Sequence, residues 1–260
     1  MTCLKTSLST KNLERAFSRA AASYDEFSGF HRHIADELMK KAVAQVEDAH
    51  HILDIGCGTG YLSGKAKRFF PYSKITGVDF SEGMLAKAQT RYQGINWTLA
   101  DAAQLPFEDQ SVDLIVSNLS YQWALDLSKA FTEAHRVLTN EKMMMATLFG
   151  FKTCDELFTS LLSTEDFRFN RLANAQEIEK SLKQAGFKKI QIESQVIGMP
   201  FKDLWHLLSW LKAIGTNRLT PETFLGPQAL QKANRYALRN YPEGTGIRVS
   251  FEVINIQATK

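Results

Sequence analysis

Cysteine is scarce in this 260-residue chain: Cys3, Cys57 and Cys154 lie far apart, with no C-x-x-C pair. An odd, scattered set builds neither a disulfide framework nor a zinc site, so we expect no metal. Long apolar runs are missing too. The longest, Met143 to Phe151, is interrupted by Thr147 and falls far short of the roughly 20 residues a bilayer-spanning helix needs. The opening MTCLKTSLSTKNLERAF holds no apolar stretch of a secretory signal. A cytoplasmic protein with no membrane partner is the expectation. Charge of one sign is lacking as well, since 31 basic and 28 acidic residues leave a net +3, too mild to argue for nucleic acid. No repeat or low-complexity segment is visible. What is present, 44% hydrophobic and 23% charged, matches an ordinary globular domain, and the length suits one large domain or one with a sizeable insertion.

Apolar periodicity predicts helix over residues 12–47, with Leu13, Phe17, Ala20, Ala21 and Tyr24 on one face and Ile34, Leu38 and Val43 continuing it. The period then changes. HILDIG (51–56), KITGVDF (74–80), NWTLAD (96–101), VDLIVSN (112–118) and MMMATLF (143–149) read as strands, most pairs leaving room for a helix between them. That alternation signals a parallel sheet with helical crossovers. KKIQIESQVI (188–197) and IRVSFEVINIQA (247–258) add two more strands, seven in all. Between those two, residues 199–244 have helical spacing, broken by Thr-Pro-Glu and Gly226-Pro227. This predicted helical insertion carries six basic and three acidic side chains, so all of the chain's excess charge lies in it.

The most informative segment is HHILDIGCGTGYLS (50–63). An apolar strand runs into Asp54, then Gly56, Gly58 and Gly60, and a helix follows. Glycines permit positive φ and close approach of a ligand to the backbone, and the helix start favours an anionic group. Asp79 ends the next strand, 19 residues after Gly60, where a carboxylate can accept hydrogen bonds from ribose hydroxyls. The spacing is G-x-G-x-G with no following G-K-[ST], unlike dinucleotide and P-loop fingerprints. Asp54 would repel a pyrophosphate and suits a cationic amine.

LDIGCGTG, the strand-end aspartate and LADAAQLPFEDQSVDLIVSN together resemble the class I S-adenosylmethionine-dependent methyltransferases over roughly residues 50–150. The resemblance implies a Rossmann-like α/β fold, a seven-stranded mostly parallel sheet and S-adenosylmethionine as cofactor. One methyltransferase domain would cover 1–260, with a helical cover over 1–49, a cofactor core over 50–150 and a lid-like insertion over 199–244. By position, Gly56, Cys57 and Gly58 would approach the methionine part and Asp54 its amino group. Asp79 would hold the ribose. Phe80, Met84, Asp101 and Ala102 would surround the adenine, and Asn118 would line the floor near the sulfonium. Read without the resemblance, Phe80 and Met84 are more commonly core residues, and Asp101 a cap on the next helix. The family often has a Pro-Gly-Gly turn where this chain runs Leu138-Thr139-Asn140-Glu141-Lys142, which puts only a local loop in question.

For the acceptor, SNLSYQW (117–123) lacks the N/D-P-P-Y of base methyltransferases. AFSRAAASYD (16–25), SNLSYQW, NRLANAQEIEKSL (170–182) and LKAIGTNRL (211–219) instead resemble the malonyl-carrier-protein O-methyltransferases of biotin synthesis. That implies methylation of the free carboxylate of a malonyl thioester on acyl carrier protein or coenzyme A, feeding pimelate synthesis. A carboxylate is already ionised at pH 7, so no general base is expected and the protein's task is alignment. Tyr24 and Asn118 are the expected positioning residues, although Tyr24 also continues a packing stripe. Arg32, Tyr121 and Trp123 are candidate substrate contacts. Lys212, Arg218, Arg235 and Arg239 are candidate contacts for the acidic carrier protein. The alternatives left open are a quinone-pathway C-methyltransferase, another carboxylate O-methyltransferase, an RNA methyltransferase and a non-catalytic cofactor-binding protein.

Overall fold

The N-terminal helical stripe breaks where serine and glycine weaken it. In the computed structural model, which describes residues 10–164, 171–216 and 226–260, the predicted continuous helix is three pieces: α1 (Thr10–Ala20), α2 (Tyr24–Phe27) and α3 (Gly29–Gln45). Side-chain bonds elsewhere favour the break. Asp25 on α2 accepts a 2.8 Å hydrogen bond from Thr59 and pairs with Arg91, which a straight helix through Ala21–Ser23 would not place there.

Beyond α3, strand and helix alternate: β1 (His51–Ile55), α4 (Tyr61–Phe69), β2 (Lys74–Asp79), α5 (Glu82–Arg91), β3 (Asn96–Leu99), β4 (Val112–Asn118), α6 (Leu127–Val137) and β5 (Leu138–Phe149). These five strands are parallel, in the order β3-β2-β1-β4-β5. The chain continues through α7 (Asp155–Leu162), α8 (Ala175–Ala185), β6 (Lys188–Phe201), α9 (Leu204–Ala213), α10 (Pro227–Asn240), β7 (Pro242–Glu243) and β8 (Gly246–Thr259). β8 lies antiparallel between β5 and β6, and the two-residue β7 pairs with it. The expected seven strands form the main path, with β7 as a short addition. The insertion is shorter in helix than expected, because β6 extends to Phe201 before α9 begins. Where the Pro-Gly-Gly turn is missing, pairing jumps from Val112↔Leu138 to Leu114↔Met143, and Glu141 takes φ +63.

Continuous apolar strands are buried on both faces, as parallel sheets require. Leu53, Ile55, Val78 and Ile115 meet Phe131 and Val137 of α6 and Ile178 and Leu182 of α8. Alternate residues Ile52, Ile75, Leu114 and Val116 meet Leu38, Met39 and Ala42 of α3 and Leu62 and Ala66 of α4. Each of the larger side chains among them, the leucines, isoleucines, valines, methionine and phenylalanine, contributes about 1.5–3 kcal/mol by leaving water. A third core joins α7, α9 and α10 to the β5–β8–β6 end through Phe149, Phe201, Phe251 and Leu207. Among the described residues, no helix is long and apolar enough to cross a membrane.

Candidate functional site

The carboxyl ends of β1, β2 and β4 meet at one edge of the sheet, where the chain turns from β1 into α4. Gly56, Gly58 and Gly60 take φ of +71°, +53° and +85°, a region open to glycine at little cost. Gly56 and Cys57 N–H both donate to the Val78 carbonyl, at 2.7 and 2.9 Å, folding the loop over β2. A Cβ at Gly56 would collide with the Ser120 side chain, whereas one at Gly58 would meet nothing within 4 Å. The loop is therefore closed against Ser120 and open at Gly58, a surface on which a ligand can lie.

Two buried carboxylates flank it. Asp79 accepts from Gly58 N–H at 2.8 Å through one oxygen and from Ser81 N–H at 2.9 Å through the other. Burial pushes its carboxyl up to about 6, against those two N–H groups. Asp54, 1% exposed, accepts from Ser63 Oγ at 2.6 Å through Oδ2, and its Oδ1 has no partner. Burial pushes Asp54 to about 7. An unpartnered buried carboxylate oxygen is costly, and a bound ammonium group would relieve it.

Three adjoining hollows open around the loop. The central one, about 490 Å³ of empty space, is bounded by Gly56, Gly58, Asp79, Asn118, Ser120 and the aromatic rings of Phe17, Tyr24, Phe80 and Trp123. A second, about 420 Å³, runs past Asp54, Cys57, Thr59 and Tyr61 to Arg32. A third, about 380 Å³, lies between Phe80, Asp101, Ala102 and Trp123. Tyr24, His31, Gly56, Gly58 and Asn118 belong to both the first and second. Phe17 of α1 roofs the central hollow, edge-on to Phe80 at 5.8 Å and to Trp123 at 5.6 Å. The insertion closes the roof from the other side: Thr216 borders the same hollow, and Trp210 Nε1 donates to the Phe27 carbonyl at 3.1 Å.

The structure thus brings Tyr24, Arg32, Asp54, Gly56, Cys57, Gly58, Asp79, Phe80, Met84, Asp101, Ala102, Asn118 and Trp123 to the walls of one continuous cleft. Burial, with Asp79 and Asp25 nearby, raises the Tyr24 hydroxyl above its ordinary 10. Arg32 stacks 5.9 Å from the Tyr61 ring centre and forms no ion pair among the described residues. Asn118 is fixed at both ends, accepting from Thr147 Oγ1 at 2.9 Å and donating to the His31 carbonyl at 3.1 Å. Asp101 caps no helix, since a turn and not a helix follows it; its side chain closes that turn by accepting from Ala103 N–H at 2.9 Å. Tyr121 departs from expectation. It is 1% exposed, packs on Phe131 at 4.9 Å and directs its hydroxyl to Met144 Sδ, so it borders only the third hollow and belongs to the core. Lys212, Arg235 and Arg239 lie exposed on α9 and α10, away from the cleft lining, and Arg218 lies outside the described residues.

Sequence reasoning missed Phe17, His31, Ser120, Gln122 and Thr216 as cleft residues. His31 lies on α3 and Tyr24 on α2, with Ser28 breaking the helix between them, so helical spacing does not relate them; for Ser120 and Thr216 no local signal exists. Among the described residues no group of three or more His, Cys, Asp or Glu could hold a metal ion.

Residues 52–141 match the family model described as a methyltransferase domain. The malonyl-acyl-carrier-protein O-methyltransferase of Methylococcus capsulatus is 29% identical, over 94% of this chain and 92% of that one. The protein of the same name from Gallionella capsiferriformans is 30% identical, over 81% of this chain and 76% of its own. Among solved structures, the phosphoethanolamine N-methyltransferase 2 of Haemonchus contortus, in complex with S-adenosyl-L-methionine, superposes with a TM-score of 0.63 at 22% identity, covering 98% of this chain and 61% of that one.

Proposed function

The chain belongs to the malonyl-acyl-carrier-protein O-methyltransferase family, and from that premise we propose that it methylates the free carboxylate of a malonyl thioester held on acyl carrier protein. Its cofactor is S-adenosylmethionine, which when bound supplies a methyl group on an electrophilic sulfonium. The cleft fits it on three points. Asp54 Oδ1 is a buried, partnerless acceptor for an ammonium. Asp79, already held by two backbone N–H groups, has lone pairs left for ribose hydroxyls. Phe80, Met84, Asp101 and Ala102 line the space an adenine needs, and Arg32, which has no ion pair among the described residues, borders the hollow next to Asp54, where a carboxylate would complement it.

The observation that carries the acceptor reading is the likeness, over 81–94% of this chain, to proteins named malonyl-acyl-carrier-protein O-methyltransferase, and the residues around Asn118 agree with it. Burial lowers His31 to about 4 and raises Tyr24 above its ordinary value. Both are therefore neutral at pH 7. A C-methyltransferase acting on a quinone ring must remove a proton from carbon, and an imidazole whose basicity burial lowers is a weak acceptor for it. A carboxylate needs no proton removed. Tyr24 and Asn118 then act by orientation, holding oxygen, methyl and sulfur in line within a covered cleft. The exposed cations of α9 and α10 suit an acidic carrier protein.

Mass spectrometry after incubation with S-adenosylmethionine and malonyl-acyl carrier protein, with acetyl-acyl carrier protein as control, tests this. One added methyl on the malonyl form alone, removable by mild ester hydrolysis, is expected. Methyl transfer to neither, with cofactor binding intact by calorimetry, overturns the acceptor and leaves the methyltransferase.

A further inference from the structure

His31 is the second residue of the cleft whose polar atoms are left over. It is 7% exposed, and its Nδ1 is buried without a hydrogen-bond partner. It sits where the central and Asp54-side hollows join, beside the Tyr24 ring at 6.0 Å, with its backbone carbonyl bound by Asn118 Nδ2. Phe30, Phe149 and Trp210 surround the imidazole, ring centres 6.3, 5.8 and 5.9 Å away. An apolar cage of this kind is a place for a core phenylalanine. A neutral imidazole keeps one N–H and one acceptor nitrogen; with Nδ1 enclosed, Nε2 is the nitrogen left to present an N–H to a ligand in the cleft.

We propose that His31 is a specificity residue: its ring N–H donates to one oxygen of the acceptor carboxylate, beside the Tyr24 hydroxyl, leaving the other oxygen to face the methyl group. The proposal rests on the malonyl-acceptor reading above. A neutral donor suits the task. A cationic partner would hold the carboxylate more tightly in the ground state than in the transition state, where its charge is being consumed, and would slow the transfer. The neutral form is the one burial enforces. The aromatic walls exclude water, which strengthens the hydrogen bond. They also give a two-carbon acyl group such as acetyl no polar partner at this depth.

The test compares His31→Phe, which keeps the ring volume and removes the donor, with His31→Gln, which keeps a donor. For His31→Phe, kcat/KM with malonyl-acyl carrier protein should fall about 10–100-fold, with the dissociation constant for S-adenosylmethionine within about twofold of wild type. His31→Gln should recover most of the loss. A second measurement avoids the variants' stability: in wild-type protein with labelled histidine, the His31 ring nitrogen signal, assigned by its absence in His31→Gln, should move on adding malonyl- but not acetyl-acyl carrier protein in the presence of S-adenosylhomocysteine. Full activity in His31→Phe, or equal losses in both variants together with weakened cofactor binding, or an unmoved nitrogen signal, overturns the proposal. If wild-type protein transfers no methyl to malonyl-acyl carrier protein, the acceptor reading falls first and this one with it.

Discussion

Ser63 Oγ donates to Asp54 Oδ2 across 2.6 Å and so turns the other oxygen, Oδ1, into a fixed acceptor with no partner of its own. α4 supplies the serine and β1 the aspartate, so the strand-to-helix turn and the carboxylate's aim are one construction. Asp54→Asn should weaken S-adenosylmethionine binding about 10–100-fold by calorimetry, because a charge-assisted bond becomes neutral. The same variant should raise apo stability by about 1–2 kcal/mol at pH 8. Wild-type affinity in Asp54→Asn would remove Asp54 from the cofactor site.

The sign of the pH effect follows from the same burial. Asp54 and Asp79 are raised in the fold, to about 7 and about 6, from an ordinary 3.8. A folded state that binds protons more tightly than the unfolded chain is favoured at low pH. Their contribution is complete below about pH 4 and fades as pH climbs through 6 and 7. The apo melting temperature should therefore carry a component that declines over that window and is smaller in Asp54→Asn. Cofactor binding runs the opposite way, since an ammonium favours ionised Asp54. Calorimetry at pH 6.5 in two buffers of different ionisation heat should show proton release on binding, and markedly less in Asp54→Asn, where only Asp79 is left to release a proton.

Gly56 and Gly58 share a positive φ and should respond differently to alanine. Gly58→Ala adds a methyl that meets nothing within 4 Å, so it should cost about 1–2 kcal/mol of stability from backbone strain alone while blocking the ligand surface. Gly56→Ala adds a collision with Ser120 and should cost more. Thermal melts and cofactor titrations separate the two: a folded Gly58→Ala that binds S-adenosylmethionine normally would move the cofactor off the loop.

Tyr24→Phe keeps the ring in its packing against Phe17's cluster and removes only the hydroxyl. We expect kcat/KM for the malonyl acceptor to drop about 10–100-fold with stability within about 1 kcal/mol of wild type. An unchanged rate would assign Tyr24 to packing alone.

Charge reversal of Arg235 and Arg239 tests carrier docking. KM for malonyl-acyl carrier protein should rise about tenfold at low salt and the difference should shrink at 0.5 M salt, while turnover of a small malonyl thioester stays level. Equal losses on both substrates would mean that the two arginines serve the fold.

The cofactor half of the site was legible because its determinants are local. Asp54, three glycines and Asp79 sit within one strand-turn-helix-strand unit, where sequence spacing sets spatial spacing. The roof was not. Tyr24 and His31 face the cleft only because the helix breaks at Ala21–Ser23 and Ser28, and that break is stabilised by Thr59 and Arg91, far along the chain. Ser120 reaches Gly56 through the turn after β4, where Leu119 takes φ +50, a conformation no residue type there announces. Tyr121 was misread because, in a short turn, sequence does not say which of two aromatics faces inward; Trp123 does face the cleft.

The 3.1 Å bond from Trp210 to the Phe27 carbonyl spans 183 residues. On a ribosome adding roughly 5–20 residues per second, α2 emerges about 10–40 s before the residue that will anchor it. The early strands can pair and bury their faces during that interval, but the roof over the glycine loop waits for α9. The roof over the binding cleft is thus completed late in synthesis, and a chain stalled before Trp210 would hold α2 without the anchor that α9 supplies.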